Sequence, residues 1–213
     1  MVAVELINVN KSYGDAIVLK DINIVIPKGG ITLIYGESGA GKSTMLNIIG
    51  LLENLDSGIL KLFNQVAPKP FSASSRKLLA NNIGYLFQNF ALVQSKTVEQ
   101  NMRIALEEQK VNKKKVIKNA LTEVGLEGFE KKKVSNCSGG EQQRIAFARL
   151  LIKPCELVLC DEPTGSLDEE NKAIIVQLLV KLKKLGKTVI VVTHDNSLKS
   201  IADQIIHLPK RSD

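Results

Sequence analysis

Three features of this 213-residue sequence predict an α/β fold built on a mostly parallel sheet. Short apolar runs alternate with longer helical patterns through most of the chain. One such run, Ile31–Tyr35, passes through a glycine-rich loop directly into a helical stretch from Lys42 through Ile49. Near the end, a strand pattern at Leu157–Cys160, a helix at Glu169–Leu185 and a strand at Thr188–Thr193 follow in quick succession.

Taken in order, the chain opens on strands. Val2, Val4, Leu6 and Val9 lie near one strand, and Ile22, Ile24 and Ile26 alternate along another. Pro27–Gly30 reads as a turn. Gly58–Phe63 and Ile83–Phe87 read as further strands, and Ala67–Ser75, rich in proline and serine, as a surface loop between them. Val98–Glu108 reads as a helix. Val116, Ile117, Ala120, Leu121 and Val124 form one apolar stripe on another, with lysines opposite. Ile205–Leu208 closes the chain as a last strand. The helical stretch from about Gln88 to Cys137 interrupts the alternation and predicts a subdomain.

Composition narrows the class. Hydrophobic residues make up 44% and charged residues 24%, ordinary globular values. No apolar run approaches the ~18 residues of a membrane span. Met1–Lys11 lacks the pattern of a signal peptide, so the chain is expected in the cytoplasm. Net charge is +7, but the lysines are scattered and only 4% of residues are aromatic. They read as solvated faces, and no nucleic-acid partner is expected. The three cysteines, Cys137, Cys155 and Cys160, form no CxxC pair, which argues against a disulfide framework or a zinc site.

Gly36-Glu37-Ser38-Gly39-Ala40-Gly41-Lys42-Ser43, followed by Thr44, matches a phosphate-binding loop between a strand and a helix. Glycines let backbone N–H groups approach phosphate oxygens at a helix N-terminus. Lys42 then brings a cation to the β- and γ-phosphates, and the Ser43 hydroxyl ligates Mg²⁺. Leu157–Cys160 runs into Asp161 and Glu162. A carboxylate at a buried strand's end suits the Mg²⁺ shell, assigned to Asp161, while Glu162 is the candidate general base. Ser138, Gly139 and Gly140 precede a helical pattern at Gln142–Ile152, with Ser138 placed to cap it. Alone, that run is an ordinary glycine-rich helix start.

Together these residues resemble an ABC (ATP-binding cassette) ATPase over essentially the whole chain. The resemblance implies a P-loop NTPase fold: a RecA-like core, an antiparallel β subdomain, and a helical signature subdomain at about 89–150 inserted in a single domain spanning 1–213. Ser138-Gly139-Gly140 is similar to the family signature, with Glu141 where many members have Gln. Tyr13 is similar to the aromatic that stacks on adenine, and Gln88 to the glutamine that reaches metal and water. Pro163-Thr164-Gly165-Ser166-Leu167-Asp168 is similar to the stretch leading into the D-loop, and His194 to the switch histidine at the γ-phosphate. His207 matches nothing and reads as structural. The departures are Cys137, where the signature usually opens with leucine, and the unusual Lys131–Asn136 before it. Cys137 reads as packing, with a redox switch as the minor alternative.

The resemblance also implies a mechanism. One chain would supply Lys42, Asp161, Glu162 and His194 to a nucleotide that the partner copy's signature covers. Two ATP molecules would be sandwiched in a head-to-tail homodimer that closes on binding. The region from Gln88 to Glu99 would face a transmembrane permease on a separate chain, with Phe90 and Leu92 as candidate contacts. The protein would thus sit at the inner face of the membrane through that partner. Gly50–Gly58, Ser138–Arg144 and Asp161–Asp168 resemble the ATPases of macrolide export, lipoprotein release and bacteriocin export, so a peptide-like or amphipathic cargo is expected. The chain ends soon after His194, and no C-terminal regulatory domain is expected. The rivals are a mechanical regulator of a cell-wall or division partner and a soluble repair, translation or iron–sulfur protein.

Overall fold

The computed structural model describes residues 1–165 and 167–208. Ser166, in the stretch expected to lead into the D-loop, lies outside the described residues.

The chain begins with two long antiparallel strands, β1 (Val2–Tyr13) and β2 (Ala16–Pro27). Next come β3 (Gly30–Tyr35), α1 (Lys42–Ile49), β4 (Ser57–Leu62) and the short β5 (Gln65–Val66). Helix α2 (Ala73–Asn81) and strand β6 (Ile83–Leu86) lead to a helical arm of α3 (Val98–Ile104), α4 (Lys113–Glu123) and α5 (Gly139–Ile152). The chain then returns through β7 (Leu157–Asp161), α6 (Glu169–Lys184), β8 (Thr188–Thr193) and β9 (Gln204–His207).

These strands form two sheets. The antiparallel sheet has the order β2-β1-β4-β5 and the other sheet β6-β7-β8-β3-β9. All neighbours in the second are parallel, as the βα alternation predicts. Its strands are apolar on both faces because both faces are covered. Leu33, Val158, Val189 and Val191 pack on one side with residues of α3 to α6, including Phe147 and Leu179. Ile34, Leu157, Leu159 and Ile190 pack on the other with Met45 and Leu46 of α1 and the inward face of the antiparallel sheet.

Register decides where function can sit. Tyr35 lies opposite Thr193, Asp161 opposite Val192, and Leu86 opposite Cys160. The carboxyl ends of four strands therefore stop nearly level, and the loops after them share one edge.

Some boundaries differ from expectation. Ala67–Ser75 is not all loop, because α2 starts at Ala73 with Ser72 as its cap, accepting from Ser75 N at 3.1 Å. Ser72 is the cap and Ser75 a buried helix position. The helix expected over Val98–Glu108 ends at Ile104, where i to i+3 bonds such as Leu106 N to Arg103 O (3.0 Å) tighten the chain. The signature helix starts at Gly139, three residues earlier than its apolar pattern suggests.

β1 kinks at Asn8, which has φ 48, and its register shifts between Leu6 and Val9. Gly58 fills the space beside the kink with φ +98, and a Cβ there would lie 2.4 Å from the Asn8 carbonyl oxygen. Gly58→Ala therefore meets both backbone strain and overlap, and is expected to cost about 1–3 kcal/mol. Urea unfolding checks this; a midpoint equal to the parent's would show that the bend relaxes freely.

Candidate functional site

The loop after β3 carries residues 36–41, and its shape follows from its glycines. Gly39 and Gly41 have φ +82 and +87. A Cβ at Gly41 would lie 2.9 Å from both the Val18 carbonyl oxygen and the Leu19 side chain, and one at Gly36 would lie 3.0 Å from the Leu208 carbonyl oxygen. The loop is thus pressed between the β1–β2 hairpin and the segment after β9. Ala40 is buried beneath it, while Glu37, Ser38 and Gly39 face outward.

Lys42 opens α1 and is only 7% exposed. Its ammonium donates to the Gly36 and Glu37 carbonyl oxygens, each at 2.8 Å, and stands 4.0 Å from Glu162 Oε1. Ser43 Oγ donates to Asp161 Oδ1 at 3.0 Å across the end of β7. Burial pushes the Asp161 carboxyl above the usual carboxylate range. The Ser43 hydrogen bond pulls it back, the Glu162 charge raises it further, and Lys42 lowers it.

Glu162 occupies the left-handed region with φ 46, where a non-glycine residue is strained. Its N–H donates to Val192 O at 3.0 Å, and its carbonyl accepts from Gly165 N at 3.1 Å. The side chain is aimed by β8: Thr193 Oγ1 donates to Oε2 at 3.1 Å, and His194 Nδ1 lies 3.0 Å from Oε1.

These groups surround a cleft of about 540 Å³ lined by Ser38, Gly39, Gly41, Lys42, Ser43, Thr44, Gln88, Glu162, Gly165 and His194. The structure therefore brings together the expected loop, the two acids, Gln88 and His194 from four strand ends. A hydroxyl and a carboxylate meeting at one point, with an amide in the lining of the same cleft, are hard oxygen donors of the kind Mg²⁺ takes. Ser43, Asp161 and Gln88 offer fewer oxygens than the octahedral shell of Mg²⁺, so the donor set fits an ion that keeps water or phosphate ligands.

Other expected site residues stand apart. Tyr13 is 50% exposed at the hairpin tip and does not line this cleft, although Val18 and Leu19 of the same hairpin touch Gly41. Ser138 and Gly139 are exposed at the start of α5 and Asp168 at the start of α6, all outside the same-chain cleft. Ser138 caps α5 and Asp168 caps α6. Arg144 Nη1 donates to Asn171 Oδ1 at 2.7 Å, and Asn171 Nδ2 donates to Asp168 at 2.9 Å, so the two helix starts are tied together.

The two candidate permease contacts are drawn inward, Leu92 more than Phe90. Leu92 is only 9% exposed and packs in the core, and Phe90 is half-buried against it, because Arg149 draws in this loop by donating to the Phe90 and Ala91 carbonyl oxygens. Cys137 is buried with its thiol on the Lys133 carbonyl, and burial pushes that thiol up, which favours packing over redox chemistry. Sequence reading missed Thr193, Asn171 and Arg149. Each is a polar residue acting through hydrogen bonds to residues distant in sequence, which leaves no periodic trace; only Thr193 had a signal, its place beside His194.

Asp161→Asn keeps an acceptor for Ser43 and removes the charge that burial disfavours. A carboxyl with a raised folded-state pKa stabilises the fold below its ordinary value and loses that contribution as pH rises through the raised one. The variant is therefore expected to melt above the parent at pH 7, with the gap closing toward about pH 4. A gap that widens in acid would refute the burial argument.

A family model described as ABC transporter matches residues 19–165. The chain is 35% identical over 96% of its length to a macrolide export ATP-binding/permease protein of Mannheimia succiniciproducens, and spans 33% of that protein. It is 37% identical to the lipoprotein-releasing system ATP-binding protein of Bacteroides thetaiotaomicron, covering 96% of both. It is 39% identical to the glutamine transport ATP-binding protein of Bacillus subtilis, over 94% of this chain and 84% of that one. A solved dimeric ATP-binding cassette in a post-hydrolysis state, bound to ADP and Pi, superposes with TM-score 0.87 at 36% identity, covering 96% of this chain and 94% of the other.

Proposed function

This chain belongs to the ABC transporter family as an ATP-binding, ATP-hydrolysing subunit, and from that premise we propose that it powers export or extraction of a peptide-like or amphipathic substrate through a separate transmembrane permease. The observation that carries the chemistry is the convergence of Lys42, Ser43, Asp161, Glu162, Gln88 and His194 on one cleft.

In this reading the loop over 36–43 receives the phosphates of ATP. Lys42 exchanges the Gly36 and Glu37 carbonyl oxygens for phosphate oxygens, so its stowed position is a preorganised one. Mg²⁺, when bound, neutralises phosphate charge, with Ser43, Asp161 and Gln88 as its protein donors. Glu162 orients water as general base and is held in place by Thr193 and His194. Tyr13 stacks on the adenine from the hairpin beside the loop.

Ser138, Gly139, Gly140 and Asp168 serve a second copy's nucleotide. None of the four lines the same-chain cleft, and Ser138, Gly139 and Asp168 are exposed, which supports that division, as does the dimeric form of the similar cassette. Closure on ATP is then a population shift toward a two-fold dimer. The helical arm, about 89–150 of a single domain over 1–213, carries the signature. The permease faces Gln88–Glu99. A groove of about 400 Å³ beside that segment, with Phe87, Ala91 and Ile104 in its lining, offers it a seat. No helix among the described residues is long and apolar enough to cross a membrane, in keeping with a peripheral place at its inner face.

The macrolide-export and lipoprotein-releasing relatives support the substrate class. Comparable identity to a glutamine transport ATPase argues that the cassette carries little cargo information, so specificity is assigned to the permease.

Glu162→Gln is expected to bind ATP normally, lose at least about 100-fold in turnover, and accumulate as an ATP-dependent dimer in light scattering. Co-expressed with a cognate permease, that dimer should co-purify with it. Near-parental hydrolysis would remove Glu162 from the role of base. An ATP-dependent dimer that binds no membrane protein would overturn the transport reading. Lys42→Ala is expected to lose nucleotide affinity at least tenfold in calorimetry; unchanged affinity would refute its phosphate role.

A further inference from the structure

The signature helix carries a charge problem. Glu141 sits in the first turn of α5, three residues after Ser138, and its carboxylate reaches back to accept from Ser138 N at 2.7 Å. In return Ser138 Oγ accepts from Glu141 N at 3.3 Å. This reciprocal cap suits the helix, because a carboxylate at a helix N-terminus is favourable. It also leaves the Ser138 hydroxyl proton to donate outward. Yet it places a full negative charge beside residues assigned to face a phosphate, and like charges at short range repel.

Lys132 answers that charge. Its ammonium lies 3.0 Å from Glu141 Oε2, the same oxygen that accepts from Ser138 N. The pair is partly shielded, with side chains 32% and 21% exposed. The ammonium also stands 4.2 Å from the centroid of the Phe129 ring, which fixes its direction. The backbone around it is anchored as well: Val98 N donates to Lys132 O at 2.9 Å, and Val134 N donates to Lys96 O at 3.1 Å. Arg144, the other nearby cation, is hydrogen-bonded to Asn171 and adds a weaker attraction to Glu141 than Lys132, which alone of the two bonds the carboxylate directly.

We propose that Lys132 is a positioning residue for ATP-dependent dimerisation: it neutralises Glu141 so that the N-terminus of α5 can meet the partner copy's phosphates. The inference rests on the reading that Ser138 and its neighbours face a second chain's nucleotide. Lys132 itself touches no nucleotide; it acts through Glu141. It gives the unusual basic segment before the signature a task, and pairs it with the Glu at the position where a neutral Gln is common. Because the segment is bonded to the start of α3, the neutralising charge is supplied from the side of the arm assigned to the permease.

The test uses the full chain in the Glu162→Gln background and reads the ATP concentration at half-maximal dimer by light scattering. The parent must first dimerise with ATP; if it does not, the two-chain reading fails and not this inference alone. Lys132→Met is then expected to raise the midpoint about tenfold at low salt, the scale of one unpaired charge near phosphate at an effective dielectric of about 20. The rise should shrink at about 1 M salt, where screening acts within about 3 Å. Adding Glu141→Gln, which keeps an acceptor for Ser138 N, should return the midpoint to within about twofold of the parent. Melting temperatures should barely differ, since an ion pair still in contact with solvent contributes little to stability. An unchanged midpoint in Lys132→Met, or one that the second substitution leaves raised, overturns the proposal. A matching fall in melting temperature across both variants would assign Lys132 to folding instead.

Discussion

The site depends on a matter of register. Four parallel strands, β6, β7, β8 and β3, end nearly level, so the residues just past them share one edge of the sheet. Lys42, Asp161, Glu162, Gln88 and His194 are distant in sequence and owe their meeting to that alignment. A one-residue slip of β7 against β8 would turn Asp161 to the other face and carry Glu162 away from Thr193. Two hydrophobic layers, one on each face, fix the register by burying the apolar residues of the central strands. Burial of the core is thus what aims the polar groups.

Against that rigid edge, the cleft stores unfavourable features. Glu162 is held at positive φ, Asp161 is a carboxyl that burial would rather keep neutral, and Lys42 is a buried ammonium resting on loop carbonyls. Each is tolerable because neighbours over-determine it: Val192 and Gly165 for the Glu162 backbone, Ser43 for Asp161, the loop itself for Lys42. Such tension belongs where a charged ligand will supply the missing counter-charge. The α5 start shows the opposite policy. There the carboxylate of Glu141 is satisfied in advance by Ser138 N and Lys132, at a surface open to another chain.

Much of this was legible in the sequence because it rests on spacing. Glycines at 36, 39 and 41 mark a backbone that must approach something closely, and the structure sets Gly41 against Val18 with no room for a side chain. Apolar runs ending in Asp161 and His194 announced the strands whose ends matter. Less legible were elements held by single polar contacts. The serines at 72 and 75 looked like loop and instead start α2. Leu92 looked available to a partner, yet Asn101 and Arg149 fold its loop inward through carbonyl and amide contacts that no periodicity encodes. The Arg144–Asn171–Asp168 tie lies between two helix starts and became visible only when both were in place.

The central claim is that a working ATPase site needs the cleft of one copy and the α5 start of another. The most direct measurement is specific ATPase activity of the chain as its own concentration is raised from nanomolar upward, with molecular mass recorded on the same samples. The account predicts activity per chain that climbs with concentration, in step with the dimeric fraction formed in ATP. Constant activity per chain from samples that remain monomeric would contradict it, because one copy would then hold everything hydrolysis requires.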